Sequence, residues 1–588
     1  MAQFLDLYRK CFITSGKNPS HGRLSTVGLR AFNPLSLFLA GEQGAWYDPS
    51  DLTTLFQDSA GTTPVTAVEQ PVGLMLDKSK GLALGAELVT NGDFSNGTTG
   101  WNSGNGSSLS NTSNALIITG TTGYGYGYQS LTLEVGKTYK ISWNIVATSS
   151  TPTYLQVTTT LGGANMLNKV NDGTGYMSAI FTATSIGAYA NFLTASPTSS
   201  VLTIDNISVK QIAGNHAFQA TAGNRPTLSA RVNLLTKTED FSDGVWASTA
   251  SNITVLPNYT TAPNGTLTAD KIVGTSGTVS PHYVGYGGGN LTGLVIGVVY
   301  KASIYIKAAG ITTAIINFYT TIANVDLAAM TISGVGSTID PVGDGWFKCT
   351  MLHTATATSE YFVIQSGATY TGDGTNGIYI WGADLRPTNS GALLPAYQRV
   401  NTASDYDTAG FPLYLKANGS SSAMSTNSID FSSTDKMTVV TGVRKLSDSL
   451  GSLIELSTVS DTNNGSFLTS VSTVYTAQIR GSSLGFYQPS ITAAPSSLVV
   501  SLLGDIAGTS LSTEIIPRIN GVVSQTSGAG TAGSGNFGNY PLYLFARAGT
   551  AYFLNGQFYG SIIRGAQSDT ASLTQTENYM ATKTGISF

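Results

Sequence analysis

The chain has 588 residues, of which 11% are charged and 10% aromatic, and its formal net charge is −4. Such a length suits about three or four domains, and the aromatic content together with the small net charge excludes an intrinsically disordered chain. The basic residues are scattered, so no stripe predicts nucleic-acid binding, and the two cysteines, Cys11 and Cys349, lie too far apart to predict a disulfide framework.

The first 41 residues differ in composition from the rest of the chain. They carry five basic residues and weak helical patterning around Phe4 to Tyr8. We interpret residues 1–41 as a docking arm, and a loosely ordered terminus that covers a neighbouring sheet fits the same pattern. Charges stand where a signal peptide needs apolar residues, and the apolar stretch at 32–40 is interrupted and too short to cross a bilayer. We therefore expect synthesis in the cytoplasm and no membrane insertion.

Beyond the arm, short runs of Val, Ile, Thr and Tyr alternate with Gly, Asn, Ser and Asp, which is typical of many short strands. Two stretches of this region occur twice and in the same order. ELVTNGDFSNGTTGW (Glu87–Trp101) matches NLLTKTEDFSDGVW (Asn233–Trp246), and GKTYKISWNIVA (Gly136–Ala147) matches GVVYKASIYIKA (Gly297–Ala308). Each copy then closes on a strand that carries an acidic residue. Repeats of this size predict duplicated antiparallel β-sandwiches.

Side-chain alternation within the repeat copies supports an all-β fold. Every second residue of the matching strands shares one face, so one face enters a core and the other meets solvent. These residues are Tyr139, Ile141, Trp143 and Ile145 in the first copy, and Tyr300, Ala302, Ile304 and Ile306 in the second. Core packing is also predicted for Trp46, Trp101, Trp143, Trp246, Trp346 and Trp381. Ser572 with Gln575 predicts the start of a short C-terminal helix, and Gly585 its end.

Three landmarks outside the repeat copies belong together. WYDPSD (Trp46–Asp51) is followed by DKS (Asp77–Ser79), and GNHAFQAT with NRP occupies 214–226. In this order they resemble the start of the laminin-G-like, concanavalin A-type jelly rolls of bacteriophage virion proteins. In those relatives DKS and GNHA follow almost directly, whereas here the first repeat copy separates them. The resemblance therefore implies one jelly roll with insertions, which exposed loop tips tolerate.

The repeat copies carry resemblances of their own. NGDF with GW and a closing IDNISV is similar to jelly-roll carbohydrate-binding modules. In the second copy, NLLT with EDF and W, then GDGWFKC (Gly343–Cys349) and GIYIWGADL (Gly377–Leu385), resembles a module recurrent in phage tail and fibre proteins. The predicted parts are a docking arm (1–41), a discontinuous laminin-G/concanavalin A-like jelly roll (42–85, 213–231 and 400–588), a carbohydrate-binding-module-like β-sandwich (86–212) and a second, related β-sandwich (232–399).

These resemblances imply a bacteriophage virion protein, either a tail fibre, a spike or a related receptor-binding component on the particle exterior that attaches to the host surface. The implied partners are other virion proteins, through residues 1–41, and a host polysaccharide or protein receptor. The resemblance to fibres also implies a homo-oligomer, with a trimer expected. A capsid, collar or tail decoration with a purely structural, adhesive role fits the same folds.

Tyrosines among glycines are the candidate ligand-binding residues. TTGYGYGYQS predicts three tyrosines on one strand face, with two glycines opposite, and HYVGYGGGN holds two more. Tyrosine rings stack on the apolar faces of sugars while their hydroxyls form hydrogen bonds. The predicted glycan-binding residues are Tyr124, Tyr126, Tyr128, Tyr283 and Tyr286. Core packing and a subunit contact are the alternatives.

Two aspartates are candidate calcium ligands. Asp93 and Asp205 lie in the first and last strands of the first copy, where the resembled carbohydrate-binding modules often hold structural calcium, and Asp240 and Asp384 are the matching pair. Calcium takes six to eight oxygens, many of them backbone carbonyls. Turn or cap hydrogen bonding is the alternative role for these carboxylates. No cofactor beyond this structural ion is expected.

Catalytic patterns are missing from the sequence. The four histidines lack zinc-ligand spacing, and neither G-x-S-x-G nor a phosphate-binding loop occurs. E-x-D-x-x-E, by which jelly-roll glucanases place two carboxylates on one strand face, is also missing, although carboxylates from different strands could converge. We therefore expect a binding protein and not an enzyme.

Overall fold

The structure is a computed structural model that describes residues 32–588 except 122–123, 196–198, 248–250, 290, 389–396 and 459–462. The predicted docking arm lies almost entirely outside the described residues. Within them, the chain forms 44 strands, and every pairing between these strands is antiparallel. The predicted all-β fold of antiparallel sandwich domains is confirmed. No helix in the described ranges is long and apolar enough to cross a bilayer.

The strands before and within the first repeat copy come first. They are β1 (Gly44–Tyr47), β2 (Leu55–Phe56) and β3 (Leu74–Met75), then β4 (Leu84–Glu87), β5 (Asn102–Gly104), β6 (Ser107–Thr112), β7 (Ala115–Gly120), β8 (Tyr126–Thr132), β9 (Thr138–Thr148), β10 (Thr153–Thr158), β11 (Asn165–Asn171), β12 (Gly175–Thr182), β13 (Gly187–Leu193) and β14 (Val201–Ile212). Short 3-10 helices occupy Pro34–Leu37 and Leu52–Thr54.

The linking segment and the second copy follow. They hold β15 (Ala217–Phe218), β16 (Thr227–Ser229), α1 (Gly244–Ala247), β17 (Ile253–Thr260), β18 (Ala269–Gly274), β19 (Tyr283–Gly285), β20 (Leu291–Thr292), β21 (Val299–Ala309), β22 (Thr313–Phe318), β23 (Thr321–Asp326), β24 (Thr331–Ile332), β25 (Thr338–Gly343), β26 (Trp346–Thr354), β27 (Ser359–Glu360), β28 (Phe362–Ser366) and β29 (Gly377–Pro387). The 3-10 helices here are Ala222–Asn224 and Tyr286–Gly289.

The remaining elements complete the chain. They are β30 (Val400–Thr402), β31 (Asp405–Tyr406), β32 (Tyr414–Asn418), β33 (Met424–Asp430), β34 (Lys436–Lys445), β35 (Gly451–Leu456), β36 (Ser466–Val471), β37 (Tyr475–Arg480), β38 (Leu484–Tyr487), β39 (Ser496–Asp505), α2 (Leu511–Glu514), β40 (Ile515–Ile519), β41 (Val522–Val523), β42 (Ala529–Gly530), β43 (Asn539–Leu544), β44 (Asn555–Arg564) and α3 (Thr570–Thr584).

Two large sheets combine strands from three separated segments. One has the order β16-β32-β44-β34-β39-β40-β41 with β1 also against β44, and the other the order β2-β3-β15-β33-β43-β35-β36-β37-β38-β42. One hydrophobic core between them draws on all three segments, through Met75, Ala217 and Ile563 among others. The limits of the predicted domains stay a prediction, but these segments pair strand to strand. We call the two sheets the jelly roll.

The two repeat copies form sandwiches of the same topology. The first has sheets β11-β10-β13-β8-β5 and β12-β9-β14-β7-β6, with β4 against β14. The second has β19-β28-β22-β23-β24 and β17-β18-β29-β21-β26-β25. Taken in chain order, β6 to β14 correspond to β17, β18, β19, β21, β22, β23, β26, β28 and β29, with the same neighbours. Each copy has its own hydrophobic core.

Corresponding residues make the same contacts in the two sandwiches. The hydroxyl of Tyr139 accepts from the backbone N–H of Glu134 at 2.8 Å, and that of Tyr300 accepts from Val295 at 2.9 Å. The Trp101 ring packs 5.4 Å from Phe94 in the first copy, as Trp246 packs against Phe241 in the second. All six tryptophans are buried, which confirms their predicted core packing.

Buried Asp77 joins the landmarks that the first sandwich separates. Its carboxylate accepts from the backbone N–H groups of Trp46 at 2.8 Å and Asn215 at 2.7 Å, and from both N–H and hydroxyl of Ser79. The backbone N–H of Asp77 in turn donates to Nδ1 of His216 at 3.0 Å. Burial lowers the pKa of His216, so its ring is neutral and can accept this bond. The landmarks WYDPSD, DKS and GNHA therefore meet at one carboxylate.

Helix α3 covers part of the outer face of the sheet that contains β34. The side chain of Asp569 caps its N-terminus by accepting from the N–H of Ser572, so the N-cap predicted at Ser572 is corrected to a position three residues earlier. Gly585 closes the helix in the left-handed conformation, as predicted. Helix α3 is tied to the first segment because Nζ of Lys583 lies 2.9 Å from buried Asp48, which also binds Lys78 at 3.1 Å.

Asp48 makes the stability of this region depend on acid pH. Burial raises its pKa, but Lys583, the Ser50 hydroxyl and Lys78 outweigh burial and hold the pKa at about 2, below the ordinary 3.8. The resulting stabilisation, about 2 kcal/mol, is complete above pH 4 and is lost as the pH falls towards 2. We expect Asp48→Asn to remove this part of the pH dependence in urea unfolding between pH 5 and 2. Parallel pH profiles of the two proteins would contradict this expectation.

Candidate functional site: an outward tyrosine face

The alternating tyrosines and glycines at the start of β8 lie on opposite sides of their sheet. Tyr126 and Tyr128 are half-buried on the outward side, whereas Gly127 is buried under the opposite sheet. A Cβ at Gly127 would stand 3.0 Å from Cδ1 of Ile118. Glycine therefore lets the two sheets approach closely, while the tyrosines cover the outside.

Tyr124 does not continue this strand face. It precedes β8, its φ is 60°, and it is 42% exposed. Its ring packs edge-on against Tyr154 of β10, with 5.9 Å between ring centroids. The prediction that Tyr124 shares one strand face with Tyr126 and Tyr128 is corrected, because left-handed backbone precedes the strand. Tyr124 instead contacts the same sheet through Tyr154.

Two tyrosines that were not singled out from the sequence complete the surface. Strand β13 pairs with β8, and β10 pairs with the other edge of β13, which brings Tyr189 and Tyr154 to the outward side. The Tyr128 ring lies 5.8 Å from Tyr126 and 5.9 Å from Tyr189. We call the side chains of Tyr124, Tyr126, Tyr128, Tyr154 and Tyr189 the tyrosine face.

The hydroxyl groups of the tyrosine face are available. Within the described part of the chain, none of the five makes a side-chain hydrogen bond. In the cores, by contrast, the hydroxyls of Tyr139 and Tyr300 are occupied by backbone N–H groups. Each hydroxyl of the face can therefore donate one and accept up to two hydrogen bonds from a molecule outside the protein.

Neutral amides and hydroxyls lie between the rings. The side-chain amide of Asn191, next to Tyr128, donates to Thr158 Oγ1 and to the Tyr189 carbonyl, both at 3.0 Å. Gln156 on β10 lies beside Asn191. The outward positions of β5, β8, β10, β11 and β13 carry no charged side chain. The surface thus offers apolar rings and neutral hydrogen-bonding groups, which suits an uncharged polar ligand.

The two tyrosines of the second sandwich have different positions. Tyr286 lies in the core, where its ring packs against Trp246 and its hydroxyl bonds to Thr236, so no ligand reaches it from outside. In the first sandwich Gln129 accepts from the N–H of Thr90 at the corresponding place. Tyr283 is half-buried on β19, and its strand neighbour is Gln365, not another tyrosine. The structure brings neither of them to the tyrosine face.

The aspartates predicted to bind calcium are held by local hydrogen bonds. Asp93 lies in a turn between β4 and β5 and not in the first strand, whereas Asp205 lies in the last strand, β14, as predicted. The carboxylate of Asp93 accepts from the N–H and hydroxyl of Ser95, and that of Asp205 accepts from the N–H and side-chain amide of Asn206. The carbonyl of Gly92, next to Asp93, accepts from the backbone N–H of Ile207 in β14, so the Asp93 turn lies beside this strand. The described residues hold no group of three or more His, Cys, Asp or Glu that could bind a metal ion. Two engaged carboxylates fall short of six to eight oxygens, and calcium stays a prediction.

The supposed counterparts of these aspartates differ structurally. A β-bulge with positive φ interrupts β14 at Asn206 and β29 at Gly382, so Asp205 corresponds to Trp381 and not to Asp384. Asp384 is buried and pairs with Arg386. The repeated feature is therefore the bulge in the last strand, and the two acidic residues match only in the sequence.

Comparison with known proteins assigns no family. No family model matches the sequence, and no curated protein sequence matches it. Similar solved structures include a CBM4 structure (16% identity, TM-score 0.18, 21% of this chain and 99% of that chain). CBM40 of the Ruminococcus gnavus IT-sialidase bound to α2,3-sialyllactose is 16% identical, with a TM-score of 0.21, and the match covers 24% of this chain and 83% of that chain. The CBM22-1–CBM22-2 tandem domain of Paenibacillus barcinonensis Xyn10C is 15% identical, with a TM-score of 0.21, and the match covers 52% of this chain and 98% of that chain.

Proposed function

We propose that the first sandwich binds a neutral glycan across the tyrosine face. The observation that carries the proposal is a row of partly exposed tyrosine rings whose hydroxyls make no bond within the described residues. Sugar rings present apolar C–H faces edged by hydroxyls, and tyrosine meets both needs with one side chain. Because no charged side chain occupies the outward positions of this sheet, uncharged sugars fit better than acidic ones.

A cleft on the second sandwich is the weaker candidate for the same role. It has a volume of about 530 Å³ and is lined by Trp381, Tyr397 and Glu239 among others. The indole N–H of Trp381 already donates to Thr268, and the Tyr397 hydroxyl already bonds to Thr238 and Glu239. Since these polar groups are engaged by the protein, the cleft offers a sugar fewer hydrogen bonds than the tyrosine face.

The biological setting of this binding belongs to the same proposal. The sequence landmarks of the jelly roll and of the second sandwich support a bacteriophage virion protein, a tail fibre, spike or other receptor-binding component that attaches to a host-surface glycan. Residues 1–41 would dock it to other virion proteins, and a homotrimer would present several tyrosine faces together. A structural decoration of capsid or collar is the alternative, and electron microscopy of labelled particles distinguishes a distal tail position from a capsid position.

Glycan binding can be tested directly on the purified full chain. A glycan array that contains neutral and acidic saccharides is expected to show binding to neutral ones. A second assay compares binding to host cells with and without their surface polysaccharide, where loss of the polysaccharide should abolish binding. Equal binding to both kinds of cell, or an array without any signal, would contradict the proposal. Release of oligosaccharide during incubation would instead indicate glycan cleavage.

A further inference from the structure

A second cavity lies between the jelly roll and the second sandwich. Its volume is about 490 Å³, which is within the range of small-molecule sites. Tyr300 of β21 lines it from the second sandwich, and Tyr414, Arg444 and Tyr559 line it from the outer face of the jelly-roll sheet. Both bodies therefore contribute side chains to one cavity, which is remote in sequence from the tyrosine face.

Arg444 is the unusual residue of this cavity. It lies on β34 beside Gln557 of β44, and only 5% of its surface is exposed. No hydrogen bond or ion pair of its guanidinium is found among the described residues, although a guanidinium has five N–H donors. Burial lowers the pKa of Arg444, but arginine keeps its charge in proteins. A buried cation without a partner is costly, so the cavity favours a bound anion.

The other charged groups around the cavity leave an excess of positive charge. Its lining contains Arg231, Lys416 and Arg444 but a single acidic residue, Glu69. The Glu69 carboxylate already accepts from the hydroxyls of Ser229 and Tyr406, both at 2.8 Å. Arg231 donates to backbone carbonyls. The exposed Lys416, like Arg444, has no side-chain partner within the described residues.

We propose that this cavity binds a small polar molecule through one oxyanion group, a carboxylate, sulfate or phosphate. The planar guanidinium of Arg444 matches two oxygens of such a group, and the Lys416 ammonium adds a second positive charge. The Tyr300 hydroxyl accepts from the Val295 N–H and can donate its own proton to the ligand. This acidic ligand differs from the neutral glycan of the tyrosine face, and the site does not depend on that proposal.

The ligand would also join the second sandwich to the jelly roll. A molecule that contacts both Tyr300 and Arg444 binds only while the two bodies are packed together, so it stabilises the folded assembly by mass action. Saturating ligand should therefore raise the thermal unfolding midpoint of the protein.

Calorimetry and thermal unfolding of the full chain test the site. Sodium glucuronate, sulfate and phosphate are titrated at constant ionic strength, with acetamide as the uncharged control that is not a sugar. We expect saturable binding and a raised midpoint with at least one oxyanion and none with acetamide. Which of the three salts binds shows whether the site prefers a carboxylate, a sulfate or a phosphate. Absence of binding by all three oxyanions would overturn the proposal.

Variants tie the binding to the cavity. Arg444→Gln should weaken binding at least tenfold and abolish the shift of the midpoint, and Arg444→Lys should restore part of both. Lys416→Gln, at an exposed position that is safe for folding, should weaken binding about threefold to tenfold. Lys140→Gln removes an exposed charge from the first sandwich and is the matched control. Wild-type affinity in either Lys416→Gln or Arg444→Gln would overturn the proposal.

Discussion

Asp77→Ala is expected to lower the free energy of unfolding of the jelly roll by about 3–5 kcal/mol. The carboxylate is fully buried, and its loss leaves the backbone N–H groups of Trp46 and Asn215 without an acceptor. These groups belong to segments on either side of the first sandwich, so the variant weakens the connection at which the inserted sandwich leaves and re-enters the jelly roll. Urea unfolding followed by far-ultraviolet circular dichroism measures the change.

The matched control for Asp77→Ala is Asp430→Ala. Asp430 lies at the end of β33 in the same jelly roll, and its exposed carboxylate accepts only from Ser432 in a local turn. Its replacement should leave the unfolding midpoint nearly unchanged. If both variants unfold at the same urea concentration, the Asp77 carboxylate does not hold the split domain together.

Local patterns predicted the fold well where the responsible contacts are local. Period-2 alternation around Tyr139 and Tyr300 identified matching strands, and the structure gives both tyrosines the same bond to a backbone N–H five residues earlier. The order of the landmarks likewise indicated the repeat. Strand periodicity and turn residues act over a few neighbouring positions, so both can be recognised in a single sequence.

The tyrosine face shows where such patterns stop being sufficient. Tyr154 and Tyr189 reach it only through the pairing of β8, β13 and β10, a register that depends on contacts between distant residues. Tyr286 also follows a tyrosine and a glycine in the sequence, yet in the structure it corresponds to Gln129 of the first sandwich. The Tyr286 hydroxyl accepts from the N–H of Thr236, as the Gln129 side chain accepts from the N–H of Thr90. Side-chain type alone does not distinguish an outward ring from an inward one.

The cavity around Arg444 could not be predicted from the sequence for the same reason. Arg444 lies in the apolar strand β34, where an arginine side chain is ordinarily expected to point outward into solvent. Its burial results from the second sandwich packing over the jelly-roll sheet, and that packing brings Tyr300 to the same space. The position of the second sandwich on the jelly roll cannot be derived from the strand patterns of the second sandwich or of the jelly roll.

Tyr128→Ala is expected to weaken glycan binding at least tenfold, the second of the two largest effects. Tyr128 is central because its ring contacts both Tyr126 and Tyr189, so its loss opens the middle of the stacking surface. Truncating a central aromatic anchor costs about 2 kcal/mol or more, and 1.4 kcal/mol already corresponds to a factor of ten. Isothermal titration calorimetry with an oligosaccharide selected on the array measures the dissociation constant.

Two further variants separate stacking from hydrogen bonding and from general damage. Tyr128→Phe keeps the ring and should cost only about threefold to tenfold, the worth of one hydrogen bond. Tyr319→Ala removes a tyrosine that is 37% exposed next to β22 of the second sandwich, and it should bind as the wild type does. Because Tyr128 is half-buried on the outside and not part of the core, its variants should unfold close to the wild-type midpoint. Wild-type affinity in Tyr128→Ala, or an equal loss in Tyr319→Ala, would place glycan binding elsewhere on the molecule.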